Sequence, residues 1–288
     1  MKLFQKKPLL LGLGISGRVY LYESENSVYV VKEYHSREKY ESRSEYKERI
    51  LHEYRILRQI EHPGFVKALK HKLSLGGNTI KVQLEAGHKD LRYLLKQRKT
   101  LLAVDEAFCL WKQICLGIRY LHELGYSHRD LKLENVVLSR RSNTIKIIDL
   151  ATASSIEKPA IGLVGSLHYM APEQVTKLSY DGACSDMWSL GIILYCLLLM
   201  NFPWNTAQLS DTVYAKYLGM NRDGQRETLK DMMEILDSLE AQLFVQELLA
   251  INPEQRLTIS KLSEDPAFVS IRHCNETEAC NVAHSIRG

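Results

Sequence analysis

The feature that most constrains the fold of this 288-residue chain is a change of hydrophobic period about a third of the way along it. Before the change, runs at 9–11, 19–23 and 28–34 carry β-branched and aromatic residues separated by Gly or Asn-Ser punctuation, which predicts strands. Residues 46–60 interrupt that pattern, because Ile50, Tyr54, Leu57 and Ile60 form a helical stripe between charges. Two further strands are expected at 65–73 and 79–84, around the turn Gly76-Gly77-Asn78. From Asp90 onward the periodic segments are mostly helical, at 91–99, 105–124, 185–200 and 231–249. The change falls at 85–89, with Gly87 as the expected hinge. A small sheet with one helix, followed by a run of helices, is an α+β arrangement. The polar segment after His273 has no period and is expected to be loosely held.

Composition excludes several classes. With 45% hydrophobic and 25% charged residues the chain can bury a core, so disorder is not expected. A net charge of +4 over this length is too weak to imply nucleic acid or an acidic membrane. The apolar run 190–200 is shorter than the roughly 20 residues that span a bilayer and reads as a buried helix. Lys2, Lys6 and Lys7 before the apolar run 9–15 imitate a signal peptide, but that run opens a motif that later residues complete. The cysteines, Cys109, Cys115, Cys184, Cys196, Cys274 and Cys280, form no C-x-x-C pair, and a chain of this length needs no disulfide staples. A reducing compartment is expected, the cytoplasm, with the nucleus also open.

Gly12-Leu13-Gly14-Ile15-Ser16-Gly17-Arg18-Val19 is a G-x-G-x-x-G-x-V run between two strands. Glycine lets backbone amides approach phosphate oxygens, although a tight hairpin has the same signature. A dinucleotide fingerprint would continue into a helix, whereas here a strand follows. Lys32 ends an apolar strand, and Glu53 lies 21 residues on, within the helical stripe. A lone lysine there snorkels to solvent; under a glycine loop it reaches phosphate, fixed by the glutamate.

The strongest run is His128-Arg129-Asp130-Leu131-Lys132-Leu133-Glu134-Asn135. Phosphoryl transfer to a hydroxyl needs a carboxylate to accept the proton and oxygen ligands for magnesium, which Asp130 and Asn135 can supply. Asp149, in Asp149-Leu150-Ala151, leaves an apolar strand end as a second metal ligand, where an isolated Asp is otherwise a turn former.

These motifs, in this order, resemble the eukaryotic-type protein kinase superfamily, serine/threonine class, over about 9–268. The resemblance extends to Gly165-Ser166-Leu167-His168-Tyr169, Ala171-Pro172-Glu173, Asp186-Met187-Trp188-Ser189-Leu190-Gly191 and Arg256. Residues 185–198 and Asn201-Phe202-Pro203-Trp204 look most similar to the calmodulin-dependent kinase group, with a looser similarity to fungal regulatory kinases. The resemblance implies a bilobal fold: a kinase domain at 1–268, divided into lobes at 1–86 and 87–268, and a tail at 269–288. The small lobe would hold a five-stranded antiparallel sheet with one main helix.

The resemblance also implies ATP and magnesium. Asp130 would be the catalytic base, Lys132 would steady the γ-phosphate, and Asn135 and Asp149 would hold the metal. Leu11, the glycine run through Val19, and Lys32 with Glu53 would bind the nucleotide. Leu84 would be the gatekeeper, Glu85 to Gly87 would contact adenine, and Asp90 the ribose. Glu173 and Arg256 would form a buried ion pair. Partners would be protein substrates with Ser or Thr acceptors, with a modest preference for an upstream arginine met by Asp90 and Glu134; no nucleic acid or membrane insertion is implied. Ala151 departs from the family's glycine, and two extra residues separate Lys32 from Glu53. Ala151 and the polar tail motivate a second reading, a pseudokinase acting as a scaffold or allosteric partner, and a small-molecule kinase of related fold is a third. Residues 156–165 hold no Ser or Thr, so activity is expected not to require phosphorylation there, with Arg129 satisfied by carbonyl groups.

Overall fold

The computed structural model describes residues 7–14, 17–25, 27–74, 78–236, 238–275 and 278–286. Strands β1 (Leu9–Gly14), β2 (Gly17–Glu23) and β3 (Val28–Tyr34) form an antiparallel meander. Helix α1 (Arg43–Gln59) follows, started by a capping box in which Ser42 and Glu45 satisfy each other's backbone N–H groups. β4 (Ala68–Leu73) and β5 (Ile80–Glu85) complete a sheet of order β1-β2-β3-β5-β4.

The remainder is mainly helical. Helices α2 (Leu91–Lys96) and α3 (Val104–Glu123) precede short strands β6 (Tyr126–Ser127), β7 (Val136–Leu138) and β8 (Ile145–Ile147). Next come β9 (Ser154–Ser155), β10 (Ala160–Ile161), α4 (Pro172–Thr176) and β11 (Ser179–Tyr180). Then follow α5 (Gly182–Leu199), α6 (Thr212–Leu218), α7 (Arg222–Met232), α8 (Leu239–Leu248), α9 (Ile259–Glu264) and α10 (Pro266–Ser270). A five-stranded antiparallel sheet with one main helix, joined to a larger helical part, is the bilobal arrangement.

One apolar core runs from Tyr34 and Ile50 through Trp111 and Trp188 to Ile286. Helices α3 and α5 form its centre, and the Trp111 indole N–H donates to the Leu190 carbonyl at 3.0 Å. By length and composition α5 could cross a membrane, but 83% of it is buried inside the protein, as a core helix requires. Backbone bonds from Val66 to the Ile147 carbonyl (3.3 Å) and from Ile147 to the Gly64 carbonyl (2.7 Å) tie the sheet half to the helical half.

Four expectations change. Phe65 and Val66 do not belong to β4; they bridge to Ile147 instead. The helix expected at 91–99 stops at Lys96. The helix expected at 231–249 is two helices, because Ser238 caps a new start by accepting from the Ala241 N–H at 3.2 Å. Met233 and Leu236 in the break are buried, so the apolar period runs through it unbroken. Finally, the segment after His273 is not loose: Cys274, Cys280 and Ile286 are buried.

Candidate functional site

The site is built where β3, α1 and the ends of β6–β8 converge. In β3, Lys32 pairs with Val19 on β2 and with Val82 on β5, so the register sets the glycine hairpin beside it. Its ammonium lies 2.7 Å from Glu53 Oε2 and 3.1 Å from Asp149 Oδ1. Tyr34, two residues along β3, donates its hydroxyl to the same Glu53 oxygen at 2.9 Å. Burial alone would lower the Lys32 pKa, but Glu53, aided by Tyr34 and Asp149, holds it above the ordinary lysine value. Burial works against the charged form of Asp149 as well, yet Lys32 outweighs it and keeps that carboxyl below its usual range.

The second half of the site is the loop after β6. Asp186, fully buried near the start of α5, accepts from the His128 N–H (2.7 Å), the Arg129 N–H (2.8 Å) and His122 Nε2 (2.9 Å). That clamp holds Arg129 at φ 67°, a left-handed conformation that a non-glycine residue keeps only when its surroundings impose it. Asp130 follows, with Lys132 Nζ 2.7 Å from its Oδ2 and, on the other side, 2.7 Å from Ser166 Oγ. Asn135 Nδ2 donates to the Asp130 carbonyl at 2.9 Å, leaving the amide oxygen to face elsewhere. The β7–β8 hairpin pairs Val136 with Ile147, and the Ile148 N–H reaches the Asn135 carbonyl at 2.9 Å. Asn135 and the strand leading to Asp149 are thereby held side by side.

One atom stands out. Asp130 Oδ1 is buried and accepts no hydrogen bond from any of the described residues. A buried carboxylate oxygen without a donor is unfavourable by roughly 1–3 kcal/mol or more, and this one belongs to the carboxylate whose other oxygen meets Lys132. Lys32, Lys132 and Ser166 supply donors for anionic oxygens, and Asp149, 41% exposed, and Asn135 supply oxygens for a hard cation. The donor set therefore fits a polyphosphate with magnesium.

The remaining expected residues are placed as follows. Leu11, Gly12, Leu13 and Gly14 lie on β1, opposite Gly17, Arg18 and Val19 on β2. Ile15 and Ser16 lie outside the described residues. Leu84 is buried on β5, and Glu85 receives the Lys67 N–H on its carboxylate at 3.1 Å. Gly87 packs where a Cβ would collide with the Val137 side chain, so no larger residue fits at this connection. The Asp90 carboxylate caps α2, accepting from the Tyr93 N–H at 2.8 Å. Glu134 is shared between the Tyr169 hydroxyl (3.2 Å) and Arg92 (3.9 Å). Ala151 keeps a negative φ, so the missing glycine imposes no strain in this conformation.

Arg129 is held as the sequence suggested, by carbonyl groups. Its guanidinium donates to the Ile161 carbonyl at 2.7 Å and the Thr152 carbonyl at 3.4 Å, and to the Tyr180 hydroxyl at 3.0 Å. Gly165 closes the same segment at φ 110°, where a Cβ would lie 2.6 Å from the Arg129 carbonyl. Tyr34, Tyr180 and the clamping role of Asp186 were not legible beforehand. Only Asp186, inside a quoted motif, gave any signal. Away from this site, a cavity of about 780 Å³ lies beside Phe108, Phe244 and Val282.

The family model described as protein kinase domain matches residues 6–268. The chain is 31% identical over 95% of its length to serine/threonine-protein kinase PRR2 of Saccharomyces cerevisiae, of which the match covers 43%. It is 33% identical over 71% of its length to the nitrogen permease reactivator protein of the same yeast, covering 26% of that protein. It is 30% identical over 81% of its length to serine/threonine-protein kinase oca2 of Schizosaccharomyces pombe, covering 36%. The chain thus spans less than half the length of these relatives. With this match over a site so arranged, the chain belongs to the protein kinase domain family.

Proposed function

We propose that the chain is an active serine/threonine protein kinase that transfers the γ-phosphate of ATP to hydroxyls of protein substrates. The observation that carries this is the Asp130 carboxylate, whose Oδ1 is buried without a donor among the described residues while Oδ2 meets Lys132 and the backbone carbonyl meets Asn135. Magnesium would offset the charge of the phosphate oxygens. Asn135 and Asp149 are the residues that would hold it. Lys32, kept protonated and fixed by Glu53 and Tyr34, orients the α- and β-phosphates. Asp130 orients the acceptor hydroxyl through Oδ1 and takes its proton, while Lys132, bridging Asp130 and Ser166, faces the transferring group. Leu11, the glycine hairpin, Glu85, Gly87 and Asp90 line the nucleotide side in the same reading.

Two of the yeast relatives, named serine/threonine-protein kinases, support a Ser/Thr acceptor, as does Lys132 two residues after Asp130. Residues 185–198 and Asn201-Phe202-Pro203-Trp204 support a place near the calmodulin-dependent group, and the yeast relatives support the fungal resemblance. Glu134, 44% exposed and shared with Arg92, supports only a weak preference for upstream arginine. A reducing, cytoplasmic or nuclear, setting suits the six free thiols. The test is Asp130→Asn: kcat should fall by about 10³-fold while ATP affinity stays within about twofold, because Asp130 acts on the acceptor and not on the nucleotide. Equal turnover by the two proteins would refute the assignment.

A further inference from the structure

A second cluster of chemically active side chains lies outside the site described above. Cys109, on the second turn of α3, meets Cys274, Cys280 and His284 from the C-terminal segment. All three cysteines are buried, at 0%, 5% and 8% exposure. Their sulfurs and His284 Nε2 all lie within 4.8 Å of one another. The Cys109–Cys280 and Cys274–Cys280 sulfurs are 3.5 and 3.3 Å apart. His284 Nε2 is 3.7, 3.2 and 3.2 Å from the sulfurs of Cys109, Cys274 and Cys280.

These are five of the six edges of a small tetrahedron, the sixth, Cys109–Cys274, lying within 4.8 Å. Zinc–sulfur bonds near 2.3 Å and zinc–nitrogen bonds near 2.05 Å, at tetrahedral angles, require S···S edges of about 3.8 Å and S···N edges of about 3.6 Å. The observed edges agree within about 0.5 Å. The sulfur separations are far beyond the roughly 2.05 Å of a disulfide, and a disulfide would leave one thiol and the imidazole without a role.

The surroundings fit a thiolate–metal centre. Cys109 Sγ accepts from the Cys274 N–H at 3.3 Å and from Gln113 Nε2 at 3.5 Å, donors that stabilise sulfur as an anion. Glu106, fully buried one turn before Cys109, has Oε1 3.7 Å from His284 Nδ1. Its carboxylate also accepts from the Ser285 N–H (2.6 Å), the Ile286 N–H (2.8 Å) and the Ser285 hydroxyl (2.7 Å). At that distance Glu106 makes no hydrogen bond to Nδ1, which has no hydrogen-bond partner among the described residues; the nearby negative charge favours the proton on Nδ1, which leaves the Nε2 lone pair to the sulfurs. Both anionic groups sit in the first two turns of α3, where the helix dipole favours negative charge.

We propose that Cys109, Cys274, Cys280 and His284 bind one zinc ion that clasps the C-terminal segment to α3. The Cys₃His set selects zinc among common divalent ions, and four protein ligands leave no open position, so the ion is structural. Binding displaces the three thiol protons and changes no oxidation state. The spacing C-x₅-C-x₃-H, completed by a cysteine 165 residues earlier, is why no metal motif is visible in the sequence.

The test uses the full chain purified without chelator, with zinc measured by mass spectrometry and cobalt as a spectroscopic substitute. The expected result is about one zinc per chain, and in the cobalt form thiolate charge-transfer bands with the intense ligand-field bands of a tetrahedral site. Cys280→Ser and His284→Ala should bind below about a tenth of an equivalent, while Cys184→Ser, outside the cluster, keeps the full equivalent. A wild type that takes up no zinc on reconstitution would overturn the proposal, whatever the variants do. So would a weak octahedral cobalt spectrum, full zinc retention in Cys280→Ser, or a Cys274–Cys280 disulfide in the intact mass.

Discussion

Two sets of buried charge in this protein are built to opposite designs. Around Arg256 everything is closed: its guanidinium meets both Glu173 oxygens at 2.5 and 2.9 Å and donates to the carbonyls of Ala250, Cys184 and Ile251. Around Lys32 and Asp130 the set is left open, with Asp149 partly exposed and Asp130 Oδ1 lacking a donor among the described residues. Both sets use Arg or Lys against carboxylates, so residue type does not separate structure from chemistry. Completion of the hydrogen-bonding shell does. A closed pair has nothing left to offer a ligand, whereas an open one stays unfavourable until a ligand arrives.

The comparison is broken most forcefully at the closed pair. Glu173→Ala strands a buried guanidinium and should destabilise the fold by about 3–5 kcal/mol, read from urea unfolding midpoints. Lys32→Met should instead act mainly on chemistry, lowering kcat/KM by about 10²-fold in steady-state assays. If each variant affected stability and turnover alike, the distinction between the sets would fail.

A smaller effect sharpens the picture of Glu53. Tyr34→Phe removes one hydrogen bond to a carboxylate that keeps its lysine, so stability should fall by about 1–2 kcal/mol with the ion pair intact. Smaller still is the response to phosphatase. With Arg129 already bonded to two carbonyls and Tyr180, dephosphorylated protein and the triple alanine variant at Thr152, Ser154 and Ser155 should keep activity within about twofold. A collapse in both, reversed in the treated wild type by an upstream kinase, would contradict that.

The least effect is in acid. The Asp149 pKa is lowered in the folded state, so its contribution is present above the ordinary carboxylate value and lost as pH falls through the folded value. Because its side chain is 41% exposed, solvent screening limits that contribution to a few tenths of a kcal/mol. The stability difference between wild type and Asp149→Asn should therefore vanish in unfolding measured below the folded value and appear at neutral pH.

Much of the fold was legible because its signals are local. The strands β1, β2, β3 and β5, and helices α1, α3 and α5, follow from hydrophobic period and punctuation close to where the structure has them. The α7–α8 break escaped, since Met233 and Leu236 carry the apolar period across it. Asp130, Lys132 and Asn135 stand in one short run and Asp149 at the end of an apolar strand, and the structure brings these segments together. Tyr34 on Glu53, Tyr180 on Arg129 and the tail on α3 were not legible. Each joins residues at least 19 apart in sequence, and no periodicity records that.

The central claim is that the open set performs phosphoryl transfer, and the most direct measurement is transfer from γ-labelled ATP to a degenerate peptide library by the purified chain with magnesium. The account expects phosphoserine and phosphothreonine, abolished by chelating magnesium, with at most a modest preference for arginine upstream of the acceptor. Tyrosine as the sole acceptor, or no transfer while ATP still binds, would contradict it.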